Sequence, residues 1–144
     1  MSHKERNIRI CVLLLILNLV FIWGNSLLPA DKSQSISDWI LELLPMFSEE
    51  TVQQEESYLI RKTAHFAEFA VLGLLLSWLA ALLKRKWWLP LPVGTAVACL
   101  DETIQMFVPD RGPGLLDVGI DSCGVLMGMF LLYTAHVLRR KRTK

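Results

Sequence analysis

Polar residues interrupt several apolar stretches of this chain at spacings suited to binding or acid/base chemistry. Lys62, His65 and Glu68 follow three-residue steps, Asp101 and Gln105 are four apart with Glu102 beside the first, and Asp117 and Asp121 are again four apart. Such steps put side chains on one face of a helix. His65 with Glu68, or the Asp101-Glu102 pair, are the candidate catalytic groups, because a histidine or paired carboxylates could perform acid/base or metal-assisted hydrolysis or transfer. Lys62, Gln105, Arg111, Asp117 and Asp121 are the candidate ligand-binding groups. Arg111 suits a phosphate or carboxylate, which its planar fork can bond bidentately. There is no serine-nucleophile motif, phosphate-cradling glycine loop or zinc-ligand spacing, so no cofactor is identified and no specific motif supports a divalent cation.

The elements that must position these residues are apolar. Hydrophobic residues make up 53% of the 144, and the mean hydropathy of +0.40 exceeds that of ordinary soluble domains. Four stretches, 8–28, 63–83, 87–108 and 115–138, each reach the about 20 residues needed to cross a hydrocarbon core. The pattern predicts an all-α fold, a four-helix transmembrane bundle forming one domain over 1–144. Pro90, Pro92 and Gly94 interrupt the start of the third stretch. The first follows Lys4, Arg6 and Arg9 but is too long for a signal peptide and lacks a clear cleavage site, so it reads as an anchor.

A net charge of +1 offers no field to recruit nucleic acid. The basic residues are nevertheless segregated: eleven of the fifteen lie in 1–9, in Lys84-Arg85-Lys86 and in the tail 139–144. The positive-inside rule makes these three places cytoplasmic, hence both termini as well. The acidic segment 30–58 then faces outward. Ile36, Trp39, Ile40, Leu43, Leu44 and Phe47 recur there at helical spacing, which predicts a short amphipathic helix lying in the outer interface. Thr51 and Gln54 have capping-box spacing, so a further helix is expected to start there and run into the second span. The prolines and glycines of 109–114 form a tight turn that would hold Arg111 above the bundle. Cys11, Cys99 and Cys123 all fall in apolar runs without metal or disulfide spacing and read as buried thiols.

Depth brings the polar residues together. At about 1.5 Å of rise per residue, Glu68 lies about 4.5 Å deeper than His65, and Asp121 about 6 Å below Asp117. With Asp101, Glu102 and Gln105 near the outer end of the third span, all fall in one shallow outer layer. Below it, Gly124 and Gly128 form a G-x-x-x-G step that permits close approach of helix backbones. Each polar residue has a structural reading: His65 as a hydrogen-bonded packing histidine, Asp117 as a helix cap, and Arg61, Lys62 and Arg111 as interfacial anchors. Taken together the carboxylates resist that reading, since each costs about 2.5 kcal/mol at mid-bilayer.

The segment Lys62-x-x-His65-Phe66-x-Glu68-Phe69-x-x-Leu72-Gly73, then Asp101-Glu102-x-x-Gln105-x-Phe107-x-Pro109-x-Arg111, then Asp117-x-x-x-Asp121-x-x-Gly124-x-x-x-Gly128 resembles the signature of the VanZ-like family of bacterial membrane proteins. It departs at Asp121, commonly asparagine in the family, at Phe69, often tyrosine, and at Asp110, often glycine. The resemblance implies a cell-envelope setting and an association with resistance to the glycopeptide teicoplanin. Three functions remain in view. One is an outer-leaflet pocket for a lipid-linked cell-wall precursor or glycan; the second is an intramembrane hydrolase or transferase. The third is a structural or partner-binding protein among membrane lipids, with homo-oligomerisation open.

Overall fold

The computed structural model describes residues 2–28, 50–109 and 114–142. These form helices α1 (His3–Ser26), α2 (Glu50–Leu82), α3 (Pro90–Gln105) and α4 (Leu115–Arg142). The segment 30–58, in which an interfacial helix is expected, lies outside the described residues up to position 49, as does Arg111.

Local chemistry accounts for the helix ends. Ser2 Oγ accepts from the Glu5 N–H at 3.2 Å while Glu5 Oε2 accepts from the Ser2 N–H at 3.0 Å. This capping box starts α1 before the apolar stretch begins. Helix α2 starts at Glu50, beside Thr51, and its apolar part is Leu59–Leu82. It closes with the Arg85 N–H bonded to the Ala80 carbonyl at 2.8 Å and the Lys84 N–H to the Ala81 carbonyl at 3.2 Å. That paired closure needs a left-handed residue, and Lys84 supplies it at φ 54. Glycine takes this conformation freely, so Lys84→Gly is expected to stabilise the protein by about 1 kcal/mol. Thermal unfolding in detergent checks this; a lower melting temperature would mean that the lysine side chain contributes more than its backbone costs.

Three of the described helices are long and apolar enough to cross a membrane: His3–Ser26, Leu59–Leu82 and Leu115–Arg139. Within the third expected span, 87–108, the helix is shorter than the other three. Helix α3 has 16 residues, about 24 Å, against the about 30 Å of a hydrocarbon core. Pro90 and Pro92 fall in its first turn, where a missing N–H costs nothing, and the prolines thus begin the helix rather than interrupt it.

Contacts set the directions. Cys11 on α1 donates to the Leu75 carbonyl on α2, whereas Asn18 further along α1 reaches the earlier Glu68 carbonyl, so these helices are antiparallel. Helix α3 is antiparallel to α4, with Thr95 bonded to Ser122 at 3.0 Å and Glu102 reaching Gly114. Helices α2 and α4 run parallel in the widest contact of the bundle. Their backbones touch at glycines: a Cβ on Gly73 would meet the Val125 backbone, one on Gly124 the Phe66 carbonyl, and one on Gly128 the Ala70 carbonyl. Small residues allow this approach, and with it dispersion contacts that lipid cannot match.

The core comprises Cys11, Leu15 and Ile22 of α1, Phe69, Leu72 and Leu75 of α2, Ala98 of α3 and Val125 of α4. Large apolar side chains such as Leu13, Leu17, Val20 and Phe130 point outward, more than 50% exposed except where helices meet. Cys99 and Cys123 share that outer surface and Cys11 alone of the three is buried. The expectation of three buried thiols is therefore corrected. On a helix that is apolar all round, hydropathy does not distinguish the face against protein from the face against lipid.

Candidate functional site

Polar residues are gathered at the end of the bundle where α1 stops and α4 starts. Helix α3 buries one stripe, Gly94, Ala98, Asp101, Glu102 and Gln105, whose small residues admit α4 and whose polar residues end the helix. Asp101 is fully buried, and Asp121, Glu102, Gln105 and Glu68 are nearly so.

Asp101 is the hub. Its Oδ1 accepts from Ser26 Oγ at 2.6 Å and its Oδ2 from Gln105 Nε2 at 2.8 Å. His65 Nδ1 lies 4.0 Å from the same Oδ2, an electrostatic contact too long for a hydrogen bond. Glu68 is fixed separately, Oε1 accepting from Asn25 Nδ2 at 2.7 Å. At the rim Lys62 pairs with Asp117, joining α2 to the first turn of α4. Glu102 Oε2 accepts from the Gly114 N–H at 2.8 Å, where the chain enters α4. A carboxylate there also favours the positive end of the helix dipole.

The candidate residues thus divide. His65, Asp101, Gln105 and Asp121 meet in the interior, Glu68 stands beside them, and Lys62, Glu102 and Asp117 hold the rim. Gly124 and Gly128 lie deeper, against α2. Sequence reasoning passed over Asn25 and Ser26, and with them the contribution of α1. A usable signal was present: Asn18 and Asn25 stand seven apart, two turns along one face of an otherwise apolar helix.

Among the described residues, Glu68, Asp101, Glu102, Asp117 and Asp121 gather at this end with Lys62 and His65. Asp121 is within electrostatic reach of Asp101, Glu102, Glu68 and Lys62. Among the described residues neither oxygen of Asp121 has a hydrogen-bond partner, nor does Glu68 Oε2. Donor atoms of His65, Asp101 and Asp121 lie within 4.8 Å of one another, so this trio could hold a metal ion. The arrangement can therefore take up a cation or present polar groups to a ligand entering from the rim.

The family model described as VanZ/LLP1 matches residues 11–138, which takes in all of these side chains. Comparison with curated proteins and with solved structures yields no match.

Proposed function

The chain belongs to the VanZ/LLP1 family, and from that premise we propose that it is a multi-pass protein of the bacterial cell membrane whose polar end engages a lipid-linked or glycan ligand of the envelope. The observation that carries this reading is the convergence of buried Ser26, Glu68, Asp101, Gln105 and Asp121, from all four helices, on one end of an otherwise apolar bundle. Intramembrane ionisable groups are expensive and functional by default. The basic turn 84–86 closes the opposite end, which by the positive-inside rule puts that end and both termini in the cytoplasm and the polar end at the outer leaflet. In this topology α3 returns the chain outward as the third crossing, its short length covered by α4 and α2. The amphipathic helix expected within 30–58 would then lie in the outer interface. Through the family, a role in glycopeptide resistance follows as part of the proposal.

A second reading, an intramembrane hydrolase or transferase acting on a lipid-linked substrate, draws on the closeness of His65 to Asp101. One comparison separates the two. In lipid extracts of cells with and without the protein, an altered lipid-linked species indicates chemistry, whereas a species that only co-purifies unchanged indicates binding. In either case Glu68→Gln and Asp101→Asn should reduce the lipid effect or glycopeptide tolerance, while Glu50→Gln and Glu55→Gln, outside the apolar part of α2, should not. Equal effects of all four at matched membrane abundance would sink the reading.

A further inference from the structure

We propose that His65, Asp101 and Asp121 bind a single divalent first-row transition-metal cation, of the Mn2+ or Zn2+ type, between α2, α3 and α4. One imidazole nitrogen and two carboxylate oxygens, one from each helix, lie within 4.8 Å of one another. Bonds of about 2.0–2.2 Å to a common ion require donors about 3–4 Å apart. Rotations of the side chains by under about 1 Å at their tips would close that gap, with no change in helix packing.

Asp121 independently points to a ligand. It is 1% exposed, and neither of its oxygens has a hydrogen-bond partner among the described residues. A buried ionised carboxylate without partners is among the most costly groups in a folded protein, and such charges are ordinarily paired or coordinate a metal. Lys62, a cation within electrostatic reach, is already paired with Asp117. A divalent ion supplies the missing partner and offsets the repulsion from Asp101 and Glu68 at the same time.

Asp101 has the support expected of a metal ligand. The bonds from Ser26 and Gln105 fix the plane of its carboxylate. Ligating carboxylates are characteristically oriented in this way, and each oxygen keeps a second lone pair for the ion. The mixed nitrogen and oxygen donor set decides the class of ion. Magnesium and calcium favour oxygen alone and thiolate-seeking ions favour sulfur, whereas imidazole with carboxylates suits manganese, iron or zinc. Both outward cysteines, Cys99 and Cys123, are exposed on the apolar surface rather than in the site. Three protein donors also leave coordination positions open to an oxygen ligand. The metal proposal stands on these residues alone and does not depend on what that ligand is.

The test uses the full chain in detergent or nanodiscs, carried on a purification handle free of histidine, stripped with chelator and titrated separately with Mn2+ and Zn2+. Calorimetry and elemental analysis should give about one ion per chain for at least one of the two metals, with a higher melting temperature. Asp121→Asn and His65→Gln should each weaken binding at least about 100-fold, and Gln105→Leu, which loosens Asp101, about 10–100-fold. His3→Ala and His136→Ala, exposed histidines away from the site, should bind as the parent does. In Mn2+-loaded parent protein, pulsed electron paramagnetic resonance should detect one coordinated imidazole nitrogen. This measurement decides the matter even if a site variant fails to fold. A parent that binds neither ion, Mn2+ bound without an imidazole nitrogen, or Zn2+ binding that survives His65→Gln and Asp121→Asn overturns the proposal.

Discussion

Leucine at Asp101 should destabilise the metal-free protein, whereas the same substitution at Asp121 should stabilise it. Leucine approximates the branched shape of aspartate, so the contrast isolates polarity. At Asp101 the change removes the acceptor of both Ser26 and Gln105. Loss of that acceptor costs about 1–3 kcal/mol at Ser26 and less at Gln105, whose Nε2 keeps a longer bond to Ser26 Oγ at 3.4 Å. Relief of repulsion from Asp121 and Glu68 offsets part of that loss, and the pairing term wins because both bonds are short and made to a charged group. At Asp121 there is no bond to lose among the described residues. Leucine there removes a desolvated carboxylate and its repulsion from Asp101, for a gain of about 1–3 kcal/mol. Urea or thermal unfolding in chelator reads both signs. If Asp121→Leu proves as destabilising as Asp101→Leu, Asp121 has a partner that the packing described above does not include. Stability gained by deleting a buried charge is what a site held for binding rather than for folding would show.

Gly128→Leu is expected to separate α2 from α4 and abolish the folded bundle. A single Cβ at Gly128 would already meet the Ala70 carbonyl and the Leu74 amide, both backbone, which no rotamer change can move aside. Overpacking that side chains can absorb costs about 1–3 kcal/mol. Here two helices must part, carrying Gly73 and Gly124 out of contact with them, so the loss should exceed that range. Gly119→Leu on the same helix is the matched control, because among the described residues nothing lies within 4 Å of its Cβ position. Size-exclusion profiles and resistance to protease in detergent should be near the parent for Gly119→Leu and lost for Gly128→Leu. Similar behaviour of the two would mean that the α2–α4 contact tolerates wider spacing and that glycine at 128 has no packing role.

The amino-acid sequence by itself determined that the described residues are helical and that polar side chains cluster near one end. Both properties are local. Runs such as Leu59–Leu82 specify a long apolar helix residue by residue, and a constant rise per residue converts the positions of His65, Glu68, Asp101 and Asp121 into depths. The prolines at 90 and 92 were equally visible, and their effect depended on where in the helix they fell; at its start they shorten α3 without breaking it. Partners were decided by tertiary structure alone. Asp101 and Asp121 look alike in sequence, each a carboxylate in an apolar stretch, yet Ser26 reaches Asp101 across 75 residues of chain while Asp121 receives no such bond among the described residues. The same holds for Cys11, buried, and Cys99 and Cys123, exposed. Rotation of an apolar helix about its axis is set by where glycine lets a neighbouring backbone approach, and hydropathy, equal on all its faces, carries no information about that angle.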